Sequence, residues 1–497
     1  MRNNFSYHLR HLYGDGEQLV DQLNDSKESL KGVKTKQKSA KAQLKANEPK
    51  KVEIPLEFNG KDYLSYLISI DAELEHSLML QYLYAAYSLG GPDVPQEHQD
   101  TVRCWQEVIL GIAKEEMGHF VSVQNVLKLI GAPLHFDRQD FPTDVPFYPF
   151  PFKLEPLTKE SLAKYVYAES PVGWIDTPIV GNPAAEKARQ EIAKIIGELP
   201  LVGPPISVLF ETVLNLVEDT KALPDDVFQS DTYPFQAKFN EWGRGYRGGS
   251  RGNSYGDGVH MPGTPDVLVE PLSSRDDAFN ALTAISEQGE DAKPDAMPPS
   301  HFERFLAVYI QLSAADYPFA RNLAINPYIA SGFSQLDCKE TKRNENTFRD
   351  KVTDPLAVLW SHLLNIRYRM LLMFINHSFV LDDGFNQSGA FAPRGTIING
   401  AFGEMYNLRS ISHVLVTLPI AEGSDIFAGP GFELPYTLDL PNGERNRWLF
   451  HRDLLEASAR VNQKILDETK CPKQRDYLHS LKEADQNLLA IIESLVA

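Results

Sequence analysis

Between residues 63 and 89, apolar side chains return every three or four positions. Leu64, Leu67, Leu74 and Leu78 share a stripe with Asp71, Glu75 and Tyr82. That period predicts an α-helix with one buried face, and Gly90, Gly91 and Pro92 end it. Residues 101–130 repeat the pattern. Trp105, Val108, Ile109, Ile112, Glu116, His119, Val123 and Val126 form the stripe, with Gly131 and Pro133 as the stop. Shorter amphipathic stretches predict helices at 157–169, 183–196, 206–222 and 276–289, and at 301–315 with Ser300 as N-cap. Long ones follow at 355–379 and 404–417, and two more lie within 446–496, separated near Cys471 and Pro472. Residues 133–156 are too rich in proline and aromatics for a helix or a central strand. Strand character is confined to the brief apolar runs 267–270 and 434–438. The pattern predicts an all-α protein with three parts: an arm at 1–55, a helix bundle at 56–320 and a helical layer at 321–497 packed on it. The helices near 62–89, 102–130, 206–222 and 276–290 form the four-helix core.

Composition narrows the function. With 42% hydrophobic and 23% charged residues the chain has the balance of an ordinary globular protein. A net charge of −18 argues against nucleic acid and against anionic membrane surfaces as partners. The basic arm differs: residues 1–55 carry eleven Lys/Arg against seven Asp/Glu, a charge of +4 that leaves −22 for the rest. Its Lys-rich part reads as a solvated helix or a mobile arm. The Gly-rich stretch 246–258, with Arg247 and Arg251, reads as a surface loop. Cys104, Cys338 and Cys471 lie too far apart for a disulfide framework or a zinc motif, and a reducing, cytoplasmic setting is the simplest expectation. Residues 1–13 lack the apolar core of a secretory leader. The most apolar stretch, 356–380, is interrupted by Arg367 and Arg369, so it is expected as a buried helix and not a membrane span. The acidic surface is compatible with a soluble homo-oligomer.

Charge on the apolar stripes points to chemistry. Glu116 and His119 are three residues apart, so a carboxylate and an imidazole share one helix face. Glu75 lies on the preceding stripe. Burying such groups is costly unless they are paired, hydrogen-bonded or metal-bound. Two glutamates and a histidine at this spacing predict one half of a carboxylate-bridged metal site in a helix bundle, with a buried polar network as the other reading. Glu115 is also in reach of His119, but the stripe favours Glu116 and turns Glu115 toward solvent or a neighbouring helix. For the other half the candidates are Glu287 and Glu290, again three residues apart, then His301, and more weakly Glu211. Such a donor set suits iron, with manganese as the other choice. Tyr82, seven residues after Glu75, is placed either as a redox-active neighbour of the site or as a core tyrosine with a hydrogen-bonded hydroxyl.

These residues resemble the ferritin-like superfamily. More closely, the chain is similar to the ferritin-like family named for iminophenylpyruvate dimer synthase, from violacein- and rebeccamycin-type pathways. The segments that carry the resemblance are Ala72-Glu73-Leu74-Glu75-His76 with Tyr82-Leu83-Tyr84, Glu115-Glu116-Met117-Gly118-His119, Glu287-Gln288-Gly289-Glu290, Ser300-His301-Phe302-Glu303-Arg304-Phe305 and Ala428-Gly429-Pro430-Gly431-Phe432-Glu433. The resemblance implies a ferritin-like bundle and oxidative coupling of two imines derived from an aromatic amino acid, a small-molecule substrate. The chain departs from the family at Asp291, where a glycine often stands, and at Val208, where relatives often have a glutamate. The Lys-rich arm has no counterpart there either. An incomplete ligand set favours a mononuclear or an empty site. The expected metal ligands are Glu75, Glu116, His119, Glu287, Glu290 and His301, with Tyr82 beside them as the catalytic residue. Three rival readings remain: metal-free acid–base chemistry by the same residues, a binding or scaffold protein that lost catalysis, and, least supported, iron storage.

Overall fold

A computed structural model describes residues 52–232, 234–243, 266–290, 299–329, 348–381, 391–434 and 438–497. The Lys-rich stretch, the Gly-rich stretch, Asp291 and Cys338 lie outside the described residues. The first helix, α1 (Gly60–Ser88), starts at Asn59, whose side chain accepts from the Asp62 amide at 3.0 Å. From Ile70 to Tyr82 every residue of α1 is buried, as befits a helix covered on all sides. It pairs with α2 (Gln99–Leu129), whose stripe is buried as the spacing predicts. Three helices follow: α3 (Lys159–Ala168), α4 (Pro183–Gly197) and α5 (Ser207–Glu218). Next comes α6 (Arg275–Glu290), then α7 (His301–Leu312). α5 packs on α1 and α6 on α2, and α5 and α6 pack on each other, which closes a four-helix bundle from the predicted segments. α7 lies across α3, α4, α6 and α2. A capping box fixes its first residue: Ser300 and Glu303 each satisfy the other's backbone amide. That cap places His301 at the helix start, facing inward.

No named strand forms among the described residues; only isolated bridges occur. Residues 267–270 run extended along α2 and give their backbone to its side chains: Ser122 donates to the Leu268 carbonyl and Asn125 to the Glu270 carbonyl, the latter at 2.9 Å. The expected strand at 267–270 is therefore a lone extended segment that a helix face, and not a neighbouring strand, satisfies. Of 434–438, residues 435–437 lie outside the described residues.

The later helices are α8 (Pro355–Phe379), α9 (Pro393–Leu415), α10 (Glu444–Glu468) and α11 (Pro472–Val496). α8 is the hub, packed on α9 and α10, and it meets the bundle through a hydrogen bond between Tyr368 and His76 of α1, which Arg138 supports at 3.2 Å. Arg367 of α8 is fully buried and answers two acids, donating to Glu404 at 2.9 Å and to both Asp485 oxygens, one at 2.8 Å. Among the described residues no helix is long and apolar enough to cross a membrane. Replacing Arg367 with Met would strand two buried carboxylates. Arg367→Met is expected to cost about 3–5 kcal/mol of stability, read from denaturant unfolding. A change below about 1 kcal/mol would show that the triad does not hold the layer together.

Candidate metal centre

Five helices and the residue that ends a sixth converge on a single buried cavity. α1 contributes Glu75 and Leu78, and α2 contributes Glu116 and His119. Glu169, the residue that ends α3, enters from the side. α6 supplies Ile285, Gly289 and Glu290, and α7 supplies His301. Ile206 and Phe210 complete an apolar wall around a small cavity of about 10 Å³, room for roughly one water. All six acidic and imidazole side chains are buried.

Glu116 stands between the two imidazoles. Its Oε2 is 2.9 Å from His119 Nδ1 and its Oε1 is 3.0 Å from His301 Nδ1. Glu75 Oε2 approaches His119 Nδ1 to 3.3 Å. The two rings lie 5.4 Å apart, inclined by 25°. Tyr82 donates its hydroxyl hydrogen to Glu169 Oε1. Glu169 is also close to α6, since a Cβ built on Gly289 would stand 3.4 Å from its Oε2.

The electrostatics follow from burying this much charge. Burial raises Glu75 well above the usual carboxylate range, and the nearby His119 offsets it only in part. Burial likewise raises Glu290, with Glu169 and Asp71 adding repulsion. Glu169 is pushed up to about 7 by burial and by Glu116. For Glu116 burial pulls upward too, but the two imidazoles outweigh it and its pKa lies below the ordinary value. Burial lowers the His119 imidazolium, and Glu75 and Glu116 more than reverse that, so it titrates well above the usual histidine range. Asp71, one helical turn before Glu75, is fully buried with no hydrogen-bond partner on either oxygen, and burial lifts it to about 7.

These residues have the character of a metal site. Glu75 Oε2, Glu116 Oε1, Glu290 Oε1 and His301 Nδ1 are buried without a hydrogen-bond partner. The last-named nitrogen and Glu116 Oε1 are within ion-pair distance yet are not aligned for a hydrogen bond. Lone pairs that crowd one space without satisfying each other are what a cation would use. Glu116, His119 and His301 offer ligand atoms all within 4.8 Å of one another. Four carboxylates with two imidazoles form an oxygen-rich set of the kind found in di-iron and di-manganese bundles, and two divalent ions would balance its four negative charges.

The structure brings Glu75, Glu116, His119, Glu290 and His301 together and sets Tyr82 beside them. Glu287 is half-buried and outside the cavity lining, as is Glu211. On the third core helix no acid lines the cavity; Ile206 and Phe210 face it from that side, and the carboxylate comes from Glu169. Glu169 carries no spacing signal in the sequence: it is one acid at the end of an amphipathic stretch. Asp71 was visible as a charge on the apolar stripe. Glu115 is buried and turned to the neighbouring helix α7, not to solvent, because His301 and Arg304 there bind its Oε2.

Residues 69–310, which hold all six of these side chains, match the family model described as ferritin-like, and over that span the protein is a ferritin-like domain. The chain is similar to dichlorochromopyrrolate synthase of Lentzea aerocolonigenes, with 27% identity over 408 residues, 73% of this chain and 35% of that protein. It is also similar to 2-imino-3-(indol-3-yl)propanoate dimerase of Chromobacterium violaceum, with 32% identity over 300 residues, 53% of this chain and 25% of that protein. The match thus spans about a third and a quarter of the length of these relatives. No solved structure matches the chain.

Proposed function

We propose that this protein is a ferritin-like oxidase of secondary metabolism that holds a pair of iron ions and couples two small imines derived from an aromatic amino acid. The observation that carries the reading is Glu116, one carboxylate set between two inward-facing imidazoles, with unsatisfied acid oxygens around it. One relative is named as the dimerase of an indolyl imine, and the other as the synthase of dichlorochromopyrrolate. In this reading Glu75, Glu116 and His119 from one side, and Glu169, Glu290 and His301 from the other, would hold the ions. When bound, iron would supply one-electron redox chemistry and a path for electrons to dioxygen. Joining two imines through a new carbon–carbon bond removes two electrons and two protons, and dioxygen accepts them as hydrogen peroxide. The Glu169 carboxylate reaches the cavity from the end of α3. Tyr82 keeps that carboxylate oriented through its hydroxyl. Leu78, Ile206, Phe210 and Ile285 keep bulk water from the site.

The test is elemental analysis of the full chain loaded with iron(II) under argon, then exposure to dioxygen with an amino-acid oxidase supplying the imine from phenylalanine or tryptophan. The expected result is about two equivalents of iron and a coupled product that requires iron and dioxygen. Absence of bound iron and manganese under every loading condition would overturn the metal reading. Bound metal without product would remove the imine assignment alone.

A further inference from the structure

Behind the two imidazoles, away from the cavity, a single residue organises both. The Asp266 carbonyl can only accept, and it accepts from Gln288 Nε2 at 3.0 Å. The amide is thereby turned so that Gln288 Oε1 faces His119 Nε2 at 2.8 Å. An amide oxygen only accepts, so that ring nitrogen must carry a hydrogen. The Asp266 amide, in turn, donates to Glu115 Oε1 at 2.7 Å. Glu115 Oε2 takes a hydrogen bond from Arg304 and lies 3.0 Å from His301 Nε2. Glu115 Oε1 accepts from the Asp266 amide and Oε2 from the Arg304 guanidinium, so the carboxylate acts as an acceptor on both oxygens. His301 Nε2 therefore carries a hydrogen as well. In both rings it is Nδ1 that faces Glu116 and the cavity.

The sequence permits this approach because residue 118 is glycine. A Cβ there would stand 3.1 Å from Val267 Cγ1 and 3.5 Å from the Leu268 nitrogen, so a side chain at 118 would require Val267 to give by a few tenths of an ångström. The two clips differ in chemistry. Behind His119 is a neutral amide. Behind His301 is a carboxylate paired with a guanidinium. A carboxylate accepting the outer N–H raises the donor strength of the inner nitrogen more than an amide does.

Resting on the reading of this cavity as a metal centre, we propose that Gln288 and Glu115 are positioning residues clipped to one backbone residue, Asp266. They commit His119 and His301 to present Nδ1 inward, and their different chemistry makes the two ion positions unequal, the His301 position binding first. Neither Gln288 nor Glu115 lines the cavity, so their effect on an ion is exerted through the imidazoles.

The test uses the metal-free full chain titrated with cobalt(II) and followed by visible absorption. The parent is expected to fill in two resolvable phases. Gln288→Leu should weaken the second phase about 10–100-fold and leave the first in place, and Glu115→Gln should weaken the first. Gln288→Glu, which keeps an acceptor behind His119 Nε2 but loses the donor to the Asp266 carbonyl, should restore the second phase only in part and serves as the folded comparison. A second readout needs no metal: the His119 Nε2–H proton resonance, identified by its absence in His119→Asn, should move and exchange faster in Gln288→Leu. Two outcomes overturn the inference: unchanged binding in a folded Gln288→Leu, or a uniform loss of both phases. A parent that binds no cobalt overturns the metal reading instead; the resonance then decides the clip by itself, and an unshifted signal in Gln288→Leu sinks it.

Discussion

Glu116→Ala is expected to bring bound iron from about two equivalents to background, whereas Glu75→Ala or Glu290→Ala should each leave about one. The reason is geometric. The two oxygens of Glu116 address different imidazoles, at 2.9 Å and 3.0 Å, so one substitution removes a ligand from both positions. Glu75 approaches His119 alone, at 3.3 Å, and Glu290 enters from α6 beside Glu169. The loss is also electrostatic: without Glu116, both rings lose an anion that favours a cation between them. Glu116→Gln keeps the shape and one acceptor, and separates the charge effect from a packing defect. Circular dichroism and elemental analysis of the same preparations give the answer. One equivalent retained in Glu116→Ala would refute the shared role, and a single ion in the parent would mean that the site is mononuclear.

Most of the bundle was legible because its periodicity is strong and its ends are marked by caps and glycines. The 355–379 segment coincides with α8, where Asp354 caps the first turn and Pro355 occupies it. The half of the site on α1 and α2 was legible for a related reason: a charge on an apolar stripe has to be explained, and Glu75, Glu116 and His119 all lie on such stripes. The other half was harder. His301 and Glu290 belong to different helices joined through residues 291–298, so no short spacing links them. Glu169 ends a helix, where an acid usually means solvent, and only packing against Gly289 reveals that it is buried. Gln288 is an amide in a polar run, and its role depends on the carbonyl of Asp266, which sequence pattern does not encode. For Glu115 periodicity left solvent and a neighbouring helix open, because it assigns one face at a time, and the second holds since α2 is buried on nearly all sides from Glu115 to Leu127.

Above about pH 6.5, where the buried neutral His76, His135, His377 and His451 no longer add stability with rising pH, the metal-free protein should lose thermal stability toward pH 8, and added divalent metal should reverse that trend. Burial first, and then neighbouring acids, hold Asp71 and Glu169 at about 7 against ordinary values of 3.8 and 4.5. The folded chain therefore keeps protons that the unfolded chain has released. Stability from these groups is complete below about pH 4 and declines as pH climbs through 7. His119 and His301 add to the slope: both are raised by Glu116 and its neighbours despite burial, so their contribution is lost as pH passes above 6.5 and through their folded values. Glu115, held down at about 2, contributes in full across this range and leaves the slope alone. Each proton held only by the folded chain gives about 1.4 kcal/mol per pH unit. Bound divalent ions compete with those same protons, so metal binding tightens as they leave. Melting temperatures with and without manganese(II) should thus lie close at pH 5 and diverge toward pH 8, and Asp71→Asn should flatten the metal-free curve without closing the gap. Parallel curves would mean that the protons and the metal do not share a site, and the charge balance argued for the cavity would fail.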